Sequence, residues 1–335
     1  MAGSLFFAAR IIFKRRSYAL PKGGEAVARL RGAAALFFPV FFGAALLLFP
    51  DVSATAAREG VALCLQTVLP SLFPFFVLSS LLVQSDVPRL LSRAMAGVMY
   101  PLFGVSGAGA SALILGLLGG YPVGARTVAE LYGRGEIARE EAEQLLAFCN
   151  NSGPGFFLGV CGTAVFGSAR AGAYLYLIHV GAALVTGVLL RRDLGLPRRK
   201  AVSRQRAPFD LAAALPAAVQ GSFAAVGSVS AFVIFFMVLL RLLSLVPALA
   251  ALPPLPRAAL FGFMEMTNGV NALPATRAGF VLCAAIMNWG GLSVQAQTRA
   301  LLAGSALSAR RCVTGKAVQA LAGVPLALLA AQRLF

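Results

Sequence analysis

The chain alternates long apolar runs with short polar breaks, and several runs carry the break in their middle. Ala33 to Phe49 is stopped by Pro50-Asp51, and Gly60 to Val83 contains Pro70 and Pro74. Gly104 to Gly120 ends in Gly119-Gly120-Tyr121-Pro122, and the run through Leu145 to Phe166 is cut at Asn150-Asn151-Ser152-Gly153-Pro154. Ala171 to Leu190 and Leu211 to Val246 follow. Ala258 to Ala275 is then broken at Thr267-Asn268-Gly269, Gly279 to Leu307 at Asn288-Trp289-Gly290-Gly291, and Val318 to Ala331 closes the pattern. A helix crossing a bilayer takes about 20 apolar residues. With 29 basic and 12 acidic side chains, 12% of the chain is charged, against about 25% for a soluble domain. That is too small a polar shell for a water-soluble fold, and a mean hydropathy of +0.82 is equally incompatible with disorder. The expected fold is an all-α polytopic membrane protein with about seven crossings.

The halves on either side of a basic linker look alike. Leu115 to Pro122 lies over Phe261 to Asn268, and Phe148 to Gly153 over Ile286 to Gly291. Each half reads as a span, a broken hairpin, a long helix interrupted at Asn and Gly, and a closing span. The expected organisation is a basic cytoplasmic arm over residues 1–32, a first span over 33–59, membrane repeat 1 over 60–190, a basic cytoplasmic linker over 191–208, and membrane repeat 2 over 209–335. If Gly104 to Ala129 and Ala258 to Ala275 are re-entrant hairpins, four crossings return the chain to the cytoplasm at the linker. Twenty-three of the 29 basic residues then lie inside, as the positive-inside bias requires. Lys316 is counted among them. Repeat 1 makes three crossings, so repeat 2 is inverted. Inverted repeats with discontinuous helices describe many secondary transporters, with the solute held at the breaks.

Unwound backbone persists at membrane depth only where it is buried in protein or lines a watery cavity. The N-terminus of a half-helix also presents N–H donors to an anion. The candidate binding residues are therefore Gly120, Tyr121, Pro122, Asn150, Asn151, Ser152, Gly153, Thr267, Asn268, Asn288, Gly290, Gly291 and Ser293, with Gln295 and Gln297 just beyond the second break. Arg126 follows the first tip and is expected to attract an anion. Glu265 is the one acid deep in an apolar run. Such a carboxylate is by default functional, and it is expected to couple an ion or gate the second hairpin. His179 reads as a packed, hydrogen-bonded side chain, and Asn150-Asn151-Ser152 as a helix break, although it spells a glycosylation sequon. The five cysteines lack metal-ligand spacing, so no metal or cofactor is expected. No catalytic triad or paired carboxylates appear, so an enzyme is not expected. The basic linker reads as a topology signal or an anionic-lipid contact, and no nucleic-acid partner is expected. The expected partners are the lipid bilayer, a small anionic solute and, as an option, further copies of the chain in a homo-oligomer.

Pro70-Ser71-Leu72-Phe73-Pro74-Phe75, Gly120-Tyr121-Pro122-Val123-Gly124-Ala125, Phe148-Cys149-Asn150-Asn151-Ser152-Gly153-Pro154, Glu265-Met266-Thr267-Asn268-Gly269 and Trp289 to Gln297 together resemble bacterial sporulation integral membrane proteins. That family carries nucleoside-recognition Gate domains. The resemblance implies two broken-helix repeats and a multi-pass protein of the mother-cell-derived outer forespore membrane, moving dipicolinic acid during endospore formation. The Gate name keeps nucleoside or other small-metabolite transport open. A non-transporting scaffold or assembly factor, whose breaks serve packing, is the third alternative.

Overall fold

A computed structural model of the chain describes residues 24–195 and 209–335. The arm before Gly24 and most of the basic linker, from Leu196 to Pro208, lie outside the described residues. The chain divides into two units, Met1–Pro50 and Asp51–Phe335. In the first, α1 (Gly24–Leu48) carries Pro39 in its interior. Its Leu36, Phe37, Val40, Phe41, Leu47 and Leu48 side chains are exposed, an apolar surface suited to lipid.

In the second unit every described element is helical. The helices are α2 (Pro50–Leu63), a π-helical turn (Cys64–Val68), α3 (Leu69–Gln84), α4 (Val87–Phe103), a 3-10 turn (Gly107–Gly109), α5 (Ala110–Gly119), α6 (Val123–Gly133), α7 (Arg139–Leu146), a second π-helical segment (Phe156–Val165), α8 (Ala169–Leu189), α9 (Leu211–Leu243), α10 (Pro247–Ala250), α11 (Pro254–Met264), α12 (Met266–Asn271), α13 (Arg277–Trp289), α14 (Gly291–Leu302) and α15 (Arg310–Leu334). Polar side chains fix several starts. Ser168 caps α8, Thr276 caps α13, and Asp210 accepts from the N–H groups of Ala212 and Ala213 at the head of α9. Each satisfies donors that a helix start leaves orphaned.

Four described helical segments are long and apolar enough to span a membrane: Ala169–Leu189, Leu211–Leu243, Arg277–Leu302 and Arg310–Leu334. Counting each bent pair as one span brings the number to six, against about seven expected from sequence. The remaining apolar pieces, Leu72–Gln84 and Phe156–Val165, are shorter than a full span and belong to interrupted helices. One bent pair was not anticipated. α4, with Arg89 and Arg93 on it, turns by 102° into the 3-10 turn and α5. It buries Pro88, Ser92, Met99 and Phe103 on one face, the pattern of an amphipathic helix.

The packing follows the repeat. Counterpart helices of the two halves run antiparallel. At one end of the α8–α15 pair, Arg311 donates to the Leu190 carbonyl (2.8 Å). At the other end Phe335 packs edge-on against Phe166, ring centroids 6.4 Å apart. The run α2–α3 opposes α9 in the same way: Arg241, late in α9, pairs with Glu59, early in the run, whereas Val226, earlier in α9, shares a buried cluster with Phe76 and Val83, late in the run. Each helical hairpin, α5–α6 and α11–α12, packs on the upstream half of its own repeat's broken helix and on the downstream half of the other's. Thus α6 meets α7 and α14, and α12 meets α13 and the segment Phe156–Val165. The two largest buried clusters reflect this packing. One joins the α4–α7 region to Leu302, Leu307 and Cys312, and the other joins α8 and Phe157 to α11, α12, α13 and α15.

Candidate functional site

Each hairpin tip sits on the break of its own repeat. In repeat 1 the tip is Gly120-Tyr121-Pro122, and a Cβ placed on Gly120 would lie 3.0 Å from the Gly153 nitrogen. In repeat 2 the tip is Glu265, and a Cβ on Gly291 would lie 3.1 Å from the Glu265 Cα. The hairpins themselves close on paired glycines, Gly116 with Gly124 and Gly262 with Gly269. Between the tips the two breaks contribute to one buried polar network, and members of both repeats bond across it.

Asn150 donates from Nδ2 to Thr298 Oγ1 on α14 (2.9 Å), and its Oδ1 accepts from the Ala125 N–H (3.4 Å). The Ser152 N–H donates to His179 Nε2 (3.1 Å). Since Nε2 accepts, Nδ1 carries the ring proton and donates to Asn288 Oδ1 (2.8 Å). Asn288 in turn donates to the Ala284 carbonyl (2.8 Å) and rests on Gly323 of α15, where a Cβ would fall 2.3 Å from its Nδ2. Asn151 Oδ1 accepts from Lys316 Nζ (3.1 Å) and Gln319 Nε2 (3.1 Å), both on α15. Lys316 Nζ also donates to Gln319 Oε1 (2.8 Å) and lies 5.1 Å from the centroid of the Tyr121 ring. Asn150, Asn151, His179, Lys316 and Gln319 are all fully buried. This burial also removes Asn150-Asn151-Ser152 from consideration as a glycosylation acceptor.

Thirteen of the site residues expected from sequence fall into three groups. Tyr121, Asn150, Asn151, Ser152 and Asn288 belong to this network. Gly120, Pro122, Gly153, Gly290 and Gly291 shape the tips and breaks around it. Gly290 and Gly291 have φ of 80° and 81°, a region glycine enters without strain. The Tyr121 hydroxyl is directed at Gly290, where a Cβ would lie 3.1 Å from it. Ser293, Gln295 and Gln297 form a local set at the start of α14. Gln295 donates to the Trp289 carbonyl and Gln297 to Ser293 Oγ.

Three expectations need correction. Thr267 and Asn268 are not unwound. The chain breaks at Glu265, which is extended, and both residues are in the first turn of α12. Glu265, expected as an ion-coupling or gating carboxylate, is occupied locally: it accepts from the N–H of Thr267 (3.0 Å), the N–H of Asn268 (2.8 Å) and Asn268 Nδ2 (2.8 Å), and caps the short helix. Arg126 is already engaged, paired with Glu130 (3.0 Å) and donating to the Gly221 carbonyl (3.3 Å) in a cleft with Ser79 and Thr127. Its bonds are not to the central network. Sequence reasoning missed Lys316, Gln319 and Thr298, and placed Lys316 among the cytoplasmic topology charges. The overlooked signal was helical periodicity. Cys312, Gly315, Lys316, Gln319 and Gly323 form one buried stripe along α15.

Residues 65–239 match the nucleoside-recognition family, Gate. The chain is 29% identical over 302 residues to the sporulation integral membrane protein YlbJ of Bacillus subtilis, covering 79% of this chain and 74% of that protein. No solved structure matches the chain.

Proposed function

Since the chain belongs to the Gate nucleoside-recognition family, we propose that it is a transporter that carries a small anionic solute across a membrane of a sporulating cell. One observation carries this reading: the first hairpin tip and both helix breaks converge on a single buried network bonded across the two repeats, through Asn150–Thr298 and His179–Asn288, and the second tip rests on the second break at Gly291. A scaffold has no need to concentrate polar groups where desolvation is most costly. In inverted-repeat transporters the breaks are where the solute is held. The similarity to a sporulation integral membrane protein supports a membrane role in a sporulating cell; within it, the motif resemblance implies dipicolinate as the solute and the outer forespore membrane as the location. The protein moves its solute without chemical change, and Glu265 gates the second hairpin by holding its turn. The Gate family's description as nucleoside recognition favours nucleosides as the second solute class.

The test is flux into proteoliposomes holding the purified full-length chain. Labelled dipicolinate should accumulate above protein-free liposomes, and labelled uridine should not. Uridine flux alone would select the second solute class. Flux of neither would refute the transport reading and favour a scaffold.

A further inference from the structure

Lys316 is a fully buried cation inside a span, and no carboxylate bonds to it among the described residues. It lies six residues past the start of α15, about 9 Å along the axis at the helical rise per residue. A lysine this close to a helix end ordinarily extends its flexible stem towards the interface. This one turns inward, to amide oxygens. Enclosing an unpaired ammonium costs several kcal/mol, and two neutral amides only partly offset that. An ammonium has three N–H donors. Asn151 Oδ1 and Gln319 Oε1 take two, and the nitrogen stands over the Tyr121 ring, 5.1 Å from its centroid. The Tyr121 hydroxyl is itself buried and has no hydrogen-bond partner among the described residues. It points at Gly290, where α14 begins. A cation without a carboxylate partner, an unused phenolic donor and the start of a 12-residue helix thus meet at one hairpin tip. All three call for the same thing, an acceptor bearing negative charge.

From this juxtaposition we infer that Lys316 selects the charge of the solute: it pairs with a carboxylate group of the transported molecule, and Tyr121 supplies a second donor to that group. The inference rests on the transport reading and names the residue that reads the charge of the solute. The three donors come from both repeats, Tyr121 from the first, Lys316 and α14 from the second. Rocking of one repeat against the other therefore makes and breaks this site. A purely structural lysine has a different consequence. Replacing a buried charge by a neutral side chain of similar size is often neutral or stabilising, and such a change leaves ligand preference untouched.

The experiment compares pyridine-2,6-dicarboxylate with its uncharged diamide as probes of the purified full-length chain, by equilibrium binding in detergent and by flux in proteoliposomes. Wild type should bind the diacid at least about tenfold more tightly than the diamide, the value of one charge-assisted hydrogen bond. K316R, which keeps the charge, should retain the preference. K316Q, which keeps a donor and loses the charge, should bring the two probes to within about twofold. Unchanged preference in K316Q overturns the assignment, as does a wild type that binds neither probe. Diacid binding without flux refutes transport and leaves Lys316 as the anion partner; flux with unaltered preference in K316Q does the reverse. Should K316Q fail to fold, wild type gives the answer by amine modification and mass spectrometry. The diacid must slow methylation of Lys316 and the diamide must not; equal modification overturns the inference.

Discussion

The first hairpin makes a close backbone approach to the carbonyl of Cys149. Gly116 on α5 and Gly124 on α6 hold that oxygen between them, and a Cβ on either would fall 1.9 and 2.0 Å from it, respectively. Ordinary contact begins at about 3.4 Å, so Gly124→Ala requires a displacement of roughly 1.4 Å between hairpin and break. Both sides are backbone, and no rotamer change relieves the overlap. Overpacking by one methyl usually costs 1–3 kcal/mol; with rigid partners on both sides we expect about 3 kcal/mol, or a fall of about 6 °C in the unfolding midpoint. Flux should fall further than stability, because the shift moves Asn150 off Ala125 and Thr298. Gly97→Ala on α4 is the control. Nothing lies within 4 Å of its Cβ, so removing backbone freedom there should stabilise by about 0.5–1 kcal/mol. Thermal unfolding in detergent, paired with liposome flux, reads both. Wild-type stability and flux in Gly124→Ala would refute the hairpin-on-break geometry.

Four further outcomes are expected. His179→Phe preserves bulk but strands the Ser152 N–H and Asn288 Oδ1; two lost buried hydrogen bonds should cost about 2–4 kcal/mol, measurable by denaturation in detergent, and a loss under 0.5 kcal/mol would contradict the network. Glu265→Ala removes the α12 cap and should cost about 1–2 kcal/mol together with most flux, whereas Glu265→Gln should recover part of both; equal behaviour of the two variants would show that the cap is unimportant. Arg126→Ala should leave solute affinity within about twofold, because the guanidinium already bonds Glu130 and Gly221; loss of binding would restore Arg126 to the site. An impermeant thiol reagent applied from outside should reach Phe335→Cys and miss Gly195→Cys, and the reverse pattern would invert the topology.

What the sequence revealed and what it concealed divide along a physical line. Gly120-Tyr121-Pro122, Asn150-Asn151-Ser152 and Gly290-Gly291 were legible because residues that disfavour helix stand out in apolar helical runs. The repeat was legible for the same reason, since the breaks recur in order. Thr267 and Asn268 misled because a polar cluster marks a break only to within a turn. The actual break falls where Glu265 accepts the N–H groups following it. The π-helical stretches Cys64–Val68 and Phe156–Val165 have no comparable sequence signature, as their apolar composition is that of any span.

Lys316 was concealed by its neighbours. Two arginines, Arg310 and Arg311, precede it, and three basic residues at a helix start read as an interface signal. Only the helix phase separates them. Arg311 bonds Gln144 (2.5 Å) and the Leu190 carbonyl, at the end of α8. Lys316 lies beyond it on the stripe of Gly315, Gln319 and Gly323, a seam of small residues against which Ala147 and Asn288 pack. Small residues along a membrane helix mark the face where backbones approach. A charge on that face is therefore committed to the protein interior, however near the helix end it stands. The same rule assigns Arg126 the opposite role: its acid partner lies one turn away on its own helix, so it brings no uncompensated charge to the centre. Of the two cations beside the first hairpin, the one that sequence passed over is the one left for a solute to neutralise.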